Sequence, residues 1–412
     1  MARLVLFFIA FIVPCVAECG GFRIRGDVGG LSGSTKVLVC YDIDIPVSYG
    51  FDYAVAGNQP LAEAPVNDGK FVISGHVDSP ALAYIIFCDA QASSFMDDTE
   101  ARYVTLMLDN ADVDVCVVDV KKLPRVMNFD EPEVSPMMSE TAAVISGGDV
   151  QNGYNEWRAA VREAEDRVWH TESLLGTTGH VMSNDAMERP QHEKDSLMAV
   201  VAEQRREVER INDSFMNAHP EYAISLVLQL KKLEQPYCYT KEDLEYAADR
   251  FACNADTLRY NRFVADMPRY AKFAKGNHFA DLRMVSADGE ETGLAAVLSR
   301  DKINVVDFWA SWCGPCRAAV PELRRINDRY EGRINMIGVS LDTDDGKWQS
   351  ALDSLMSWRQ FRVRKEDAGP VSLEYGITAI PAYFVISASG EILGRCSDVA
   401  ELSRMLGKNI ND

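Results

Sequence analysis

The chain has 412 residues, and 42 Lys+Arg against 62 Asp+Glu leave a net charge of −20. With 47% hydrophobic and 25% charged residues it has the composition of a folded protein of two or three domains, not a disordered one. Such acidity argues against a nucleic-acid partner and against electrostatic docking to anionic lipid, since phosphate backbones and headgroups are bound through Lys and Arg. It reads instead as the charge that keeps an exported chain soluble.

The first residues carry an address. Arg3 precedes an apolar run, Leu4–Val13, too short to span a bilayer but suited to the h-region of a signal peptide. Residues 1–19 are therefore read as a leader. Cysteine and alanine at Cys15 and Ala17 suit cleavage before Glu18. A lipoprotein signal is the alternative: Cys19, followed by Gly20 and Gly21, would carry a lipid anchor, although Glu18 stands where a small residue is usual. Either way the expected location is the cell envelope or periplasm.

Residues 20–122 read as β. Phe22 and Ile24 alternate with arginines, and Val37, Val39, Tyr41, Ile43 and Ile45 alternate along one longer segment. Phe71 and Ile73, Ala81–Cys88, Tyr103–Leu108 and Val113–Val117 add further strands. Turns at Gly29-Gly30, Gly33-Ser34 and Asp68-Gly69 separate them. This predicts an antiparallel β sandwich or barrel. Asp109, Asp112 and Asp114 lack the glycine-turned loop of a calcium site and read as a solvated face.

Residues 123–272 change period. Pro124, Pro132 and Pro136 mark a linker that ends at Ser146-Gly147-Gly148. Tyr154, Trp157, Val161, Ala164 and Val168, then Leu197 to Phe215, recur at helical spacing. A helix is predicted from Tyr222 to Leu233, and Thr240 with Asp243 is a capping-box pattern. Two short helices are expected between Asn254 and Ala274. The histidines here lack metal-site pairing, so this is a helical spacer or partner-binding domain.

From 273 to 412 the pattern is mixed α/β. Ile303–Trp309 is an apolar-rich strand interrupted by Asp307. Next come Trp312-Cys313-Gly314-Pro315-Cys316 and an amphipathic helix through Tyr330, with Pro321 in its second turn. Asn335–Leu341 is a second buried strand, Trp348–Trp358 a helix, and Tyr383–Ser387 with Glu391–Arg395 a hairpin. Val399–Leu406 closes the chain as a helix.

Of ten cysteines, only Cys313 and Cys316 form a motif; Cys40, Cys88, Cys116, Cys238, Cys253 and Cys396 are scattered and read as small buried hydrophobes, the alternative being disulfides of unspecified pairing in an oxidising compartment. Two cysteines three apart fit within one helical turn and can close a small disulfide ring. At the mouth of a helix, free N–H groups and the helix dipole stabilise a thiolate, the attacking species in thiol–disulfide exchange. Cys313 is thus the expected nucleophile and Cys316 the resolving thiol. Pro315 suits the first helical turn.

The run VVDFWASWCGPC resembles the active-site segment of thioredoxins. That resemblance implies that Asp307, six before Cys313, is the buried acid that helps deprotonate Cys316, and that Pro321 kinks the active-site helix. It also implies that Ile380-Pro381, in GITAIPAYFVI, is a cis-proline loop lying against the CxxC and able to pair with an extended substrate. Trp312, Gly314 and Pro315 belong with this substrate-facing set. Ala382 departs from the usual threonine, which blurs substrate preference. The lengthened stretch from INMIGVSLDTDDGKW to Ser372 is similar to the exported TlpA/ResA-like branch, with its N-terminal β domain and helical middle.

That resemblance implies an envelope thiol–disulfide oxidoreductase that reduces protein disulfides, in some members during cytochrome c maturation. Its partners would be disulfide-bearing envelope proteins and an inner-membrane thiol-relay reductant. No metal site and no cofactor are expected. A zinc site would need a second ligand pair, and a peroxiredoxin would need other residues than Val306 and Ala310 before the cysteine. A disulfide isomerase or oxidase stays open, although the Gly-Pro dipeptide resembles reductants near roughly −270 mV more than oxidants near −120 mV. So does an envelope binding or scaffold protein with a secondary redox domain.

Overall fold

The computed structural model describes residues 20–31, 34–41, 60–126, 135–175, 189–234, 239–355, 358–364, 375–377 and 379–411. The expected leader with Cys19, the strand residues after Tyr41, Cys238 and part of the proline linker lie outside these. The chain divides into two compact units, Met1–Ile211 and Asn212–Asp412.

The first unit is a sandwich. Its strands are β1 (Phe22–Val28), β2 (Thr35–Tyr41), β3 (Ala62–Pro65), β4 (Lys70–Gly75), β5 (Ala81–Asp89), β6 (Arg102–Leu108), β7 (Asp112–Val117) and β8 (Ala143–Ser146). One sheet has the order β4-β1-β7-β8 and the other β3-β2-β5-β6. Period-two alternation sends Ile24, Ile73, Val113 and Val115 of the first sheet, and Val37, Ile85 and Leu106 of the second, into one shared core. All pairings are antiparallel except β1 with β7, which run parallel with Arg23 opposite Asp112.

β5 is buried at all but its last position because its sheet is covered on both faces. On the second face Leu38, Cys40, Tyr84, Ile86 and Tyr103 cluster with Phe95, Ala101 and Val126. After the short α1 (Pro136–Ser139), α2 (Asp149–Leu175) lies beside β6. Gln151 Oε1 accepts the Met107 amide at 2.8 Å, and Glu140 Oε1 accepts the Thr105 hydroxyl at 2.7 Å. The outer face of β1 and β7 is the solvated one expected for Asp112 and Asp114, which Arg25 bonds at 3.0 Å and 2.7 Å, whereas Asp109, read with them, is half-buried.

Two strands differ from the reading of the sequence. β3 was not anticipated, and β8 falls in the segment read as linker, so the first sheet extends past residue 122. Both are four residues long with every other residue exposed, too short for alternation to stand out. Among the scattered cysteines, Cys40, Cys88 and Cys396 are buried, but Cys116 and Cys253 are exposed. Cys116 has the outward parity of β7, and Cys253 sits in the turn after a helix.

Helices follow: α3 (Gln191–Ala218), α4 (Ala223–Glu234), α5 (Lys241–Arg250) and α6 (Thr257–Ala271). Thr240 and Asp243 form the capping box. The two helices expected near 254–274 are one, because Pro268 falls in the last turn of α6 and interrupts little of it.

The remainder of the second unit is a seven-stranded mixed sheet, β10-β9-β13-β12-β11-β14-β15. These strands are β9 (Arg283–Ser286), β10 (Glu291–Gly293), β11 (Ile303–Trp309), β12 (Ile334–Ser340), β13 (Arg359–Val363), β14 (Ala382–Ile386) and β15 (Ile392–Cys396). With them run α7 (Leu294–Val297), α8 (Gly314–Arg329), α9 (Asp345–Leu355) and α10 (Val399–Asn411). β11–α8–β12 is a parallel crossover, whose helix covers one face. Val305, Val320, Leu323, Leu402 and Leu406 pack there; Val306, Phe308, Ile337 and Phe384 fill the other face. No helix among the described residues is long and apolar enough to cross a membrane.

Candidate redox site

β11 is a central strand, and its carboxyl end delivers the chain to α8, where sites of open α/β sheets are found. Trp309 and Ala310 are buried, and the chain then turns outward so that Trp312 is 68% exposed. Cys313 caps α8 with an extended backbone, φ −80° and ψ 104°. Its Sγ accepts the Cys316 amide at 3.1 Å, the free N–H that a helix start provides. Gly314 and Pro315 are the first two helical residues. A Cβ at Gly314 would meet open space, so glycine there is not demanded by packing.

Cys313 and Cys316 are joined in a disulfide, their Cα atoms 5.3 Å apart, and are 5% and 3% exposed. Trp309, Trp348 and Ile380 pack around them. The Ile380–Pro381 peptide bond is cis, and the Ile380 carbonyl oxygen lies 3.6 Å from Cys313 Sγ. The loop before β14 is thereby brought to the sulfur. Pro321 lies inside α8 as expected.

Asp307 is 2% exposed and shares the α8 face with Val305 and Trp309. Burial pushes its carboxyl up to about 7, because a charge there has lost its water. Its Oδ1 has no hydrogen-bond partner among the described residues. The register sets Tyr383 of β14 on one side of Asp307 and Gly338 of β12 on the other. The Tyr383 hydroxyl is likewise without a partner. Gly338 has no side chain because Gln360 of β13 occupies the space, with its Oε1 accepting the Trp309 indole N–H at 3.1 Å.

The structure thus brings Cys313, Cys316, Trp312, Gly314, Pro315, Ile380 and Pro381 to one end of the sheet, with Asp307 in the strand that leads there. Reading the sequence missed Ser311 and Asp342, which are joined beside the disulfide, and missed Tyr383 and Gln360. An aspartate closing an apolar strand, as in Val339-Ser340-Leu341-Asp342, was the available signal for one of them.

Residues 301–392 match the family model described as thioredoxin-like, and residues 22–154 match a domain of unknown function, DUF4369. The chain is 35% identical over 101 residues to the thiol:disulfide interchange protein DsbE homolog of Paracoccus denitrificans, 24% of this chain and 52% of that one. It is 31% identical over 120 residues to the thiol:disulfide interchange protein HelX of Rhodobacter capsulatus, 29% of this chain and 66% of that one. A thioredoxin of Staphylococcus saprophyticus is 38% identical over 74 residues, 18% of this chain and 68% of its own length. The chain therefore spans about half to two thirds of the length of these relatives, which cover only 18 to 29% of it. A CxxC disulfide at the start of α8, a cis proline against it and a buried aspartate in the preceding strand agree with those matches: through this segment the chain belongs to the thioredoxin-like family of thiol–disulfide oxidoreductases.

Proposed function

We propose that this protein is an exported thiol–disulfide oxidoreductase that reduces protein disulfides in the cell envelope. The observation that carries the reading is Cys313 at the cap of α8, its Sγ receiving the Cys316 amide while the Ile380 carbonyl oxygen of the cis-Pro381 loop lies 3.6 Å from it. In the reduced protein the Cys313 thiolate attacks one sulfur of a substrate disulfide, and the other leaves as a thiolate that takes up a proton. Cys316 gives its proton to the Asp307 carboxylate and attacks Cys313 Sγ. The second substrate thiol is released, and the pair ends as the disulfide seen here. Two electrons have passed to the substrate, and a dithiol donor must return them.

The leader read over residues 1–19 supports the envelope, and similarity to two thiol:disulfide interchange proteins, the DsbE homolog and HelX, supports the disulfide chemistry. The TlpA/ResA-like resemblance extends the proposal to cytochrome c maturation, with an inner-membrane thiol-relay protein as donor. Exposed Trp312, beside Cys313, supports a protein client, since a flat aromatic offers contact area at low entropic cost.

A Cys316→Ser variant should hold clients as mixed disulfides on Cys313, and Cys313→Ser should hold none and lose turnover of a model disulfide. Equal turnover by wild type and Cys313→Ser would remove the proposal. A redox equilibrium far to the oxidising side of thioredoxin would replace reduction by oxidation or isomerisation.

A further inference from the structure

β11 and β12 are parallel and in register, with Trp309 opposite Ser340, so both chains leave the sheet side by side. Two residues beyond the strands stand Ser311 on one chain and Asp342 on the other. Asp342 is 1% exposed. Its Oδ2 accepts the Ser311 amide at 2.8 Å and the Ser340 hydroxyl at 2.6 Å, and its Oδ1 accepts the Ser311 hydroxyl at 2.7 Å. Its own amide donates to Ser340 Oγ at 3.0 Å. Three donors converging on both oxygens is the pattern of a carboxylate, not of a carboxylic acid. Cys313 follows Ser311 by two residues, so their Cα atoms are at most about 7.6 Å apart.

We propose that Asp342 is a positioning residue of the dithiol, an inference that rests on the function proposed above. It fixes the turn from Ser311 to Cys313, and its buried negative charge opposes ionisation of Cys313 and biases the pair toward giving up electrons. The start of α8 alone favours the thiolate. A pair whose reduced form is stabilised in this way becomes an oxidant. A fixed anion close by, in a poorly solvated site, pulls the other way. The electrons concerned are the two that leave when both thiols become the Cys313–Cys316 disulfide, with two protons released. Titratable groups on the elements packed around Cys313 include Asp307 on β11, Tyr383 opposite it on β14, Arg317 at the start of α8, Asp344, Asp345 and Lys347 at the start of α9, Arg362 of β13 over the Trp348 ring and paired with Asp345, and Tyr375 before the cis proline. None is altered in the test.

The full chain is equilibrated with reduced and oxidised glutathione, and its reduced form is alkylated across a pH series. Asp342→Asn keeps acceptor capacity and removes the charge. The Cys313 thiol pKa should fall by about one unit, and the equilibrium should move about fivefold toward the dithiol at pH 7. Asp342→Ser also removes the charge, and whichever variant folds is read. Ser311→Ala removes one donor but keeps the anion, so its thiol pKa should not fall. An unchanged thiol in the charge-removing variant, or an equal fall in Ser311→Ala, overturns the inference. A wild-type dithiol that never equilibrates with glutathione sinks the function itself and this inference with it.

Discussion

Asp307 is the residue on which burial and chemistry meet. Its folded value of about 7 lies above the ordinary carboxylate value of 3.8, so between them the folded chain holds a proton that the unfolded chain lacks. Stability contributed by this group is present at low pH and is lost as pH rises through about 7. Asp307→Asn should therefore be more stable than wild type at pH 8, by about 1 to 3 kcal/mol, and no different near pH 4. On the mechanism proposed above the same variant lacks the base for Cys316, and its mixed disulfide should resolve at least about tenfold more slowly near neutral pH. Equal urea midpoints at pH 8, with equal resolution rates, would refute both roles. Thiol reactivity gives a second residue-scale expectation. Burial pushes Cys40 up to about 12 and Cys88 up to about 11, whereas Cys116 and Cys253 are exposed. Iodoacetamide on the native oxidised protein should label Cys116 and Cys253 and leave Cys40, Cys88 and Cys396 unmodified; mass spectrometry of labelled peptides checks this. The reactive pair was legible because its chemistry is local: the cysteines, Asp307 and Pro321 lie within one strand–turn–helix. Asp342 was not, because it reaches Ser311 only through the parallel register of two strands 31 residues apart in sequence.

At the scale of elements, legibility followed length and period. β11 was bounded to the residue, because seven apolar-rich positions between the charged turn Arg300-Asp301-Lys302 and the CxxC segment leave one solution. β13, Arg-Gln-Phe-Arg-Val, was not anticipated after the helix read to Trp358; arginines at two of its five positions hide a strand that is held by β12 and β9. α2 shows what pattern cannot reveal. Its apolar stripe is visible in the sequence, but its inner face also carries Arg158 and Glu165, both buried and bonded to each other. Glu140 lies on the other side of Arg158 at 3.2 Å. This ion triad is costly to desolvate and costlier to break, since removing one member leaves the others buried. Arg158→Met should lower stability by about 3 kcal/mol. Adding Glu165→Gln should recover part of that loss, whereas Glu165→Gln alone should be destabilising. If urea midpoints showed the two substitutions simply adding, the network would not be acting as a unit.

For the molecule as a whole, the acidity and the site belong to one problem, the capture of another protein. The net charge of −20 is plain from composition, and it acts over the Debye length rather than through contacts. It disfavours acidic clients at a distance and raises the local concentration of basic ones, before Trp312 or Pro381 touches anything. The composition does not say where the charge lies, and the fold locates part of it: Asp344 and Asp345 open α9, whose Trp348 packs on the dithiol. Steering of this kind changes the rate of encounter and leaves the chemical step alone. Two disulfide peptides of equal length, one bearing three lysines and one three glutamates, should therefore differ in their rate of reduction at low salt, the basic one being faster. Raising the ionic strength from about 20 mM to about 500 mM shrinks the Debye length from roughly 20 Å to roughly 4 Å, and the ratio of rates should fall toward one. With saturating peptide the ratio should be near one at any salt, because encounter is then no longer limiting. A preference for the acidic peptide, or a ratio indifferent to salt, would mean that the surface around the dithiol selects clients by shape and not by charge.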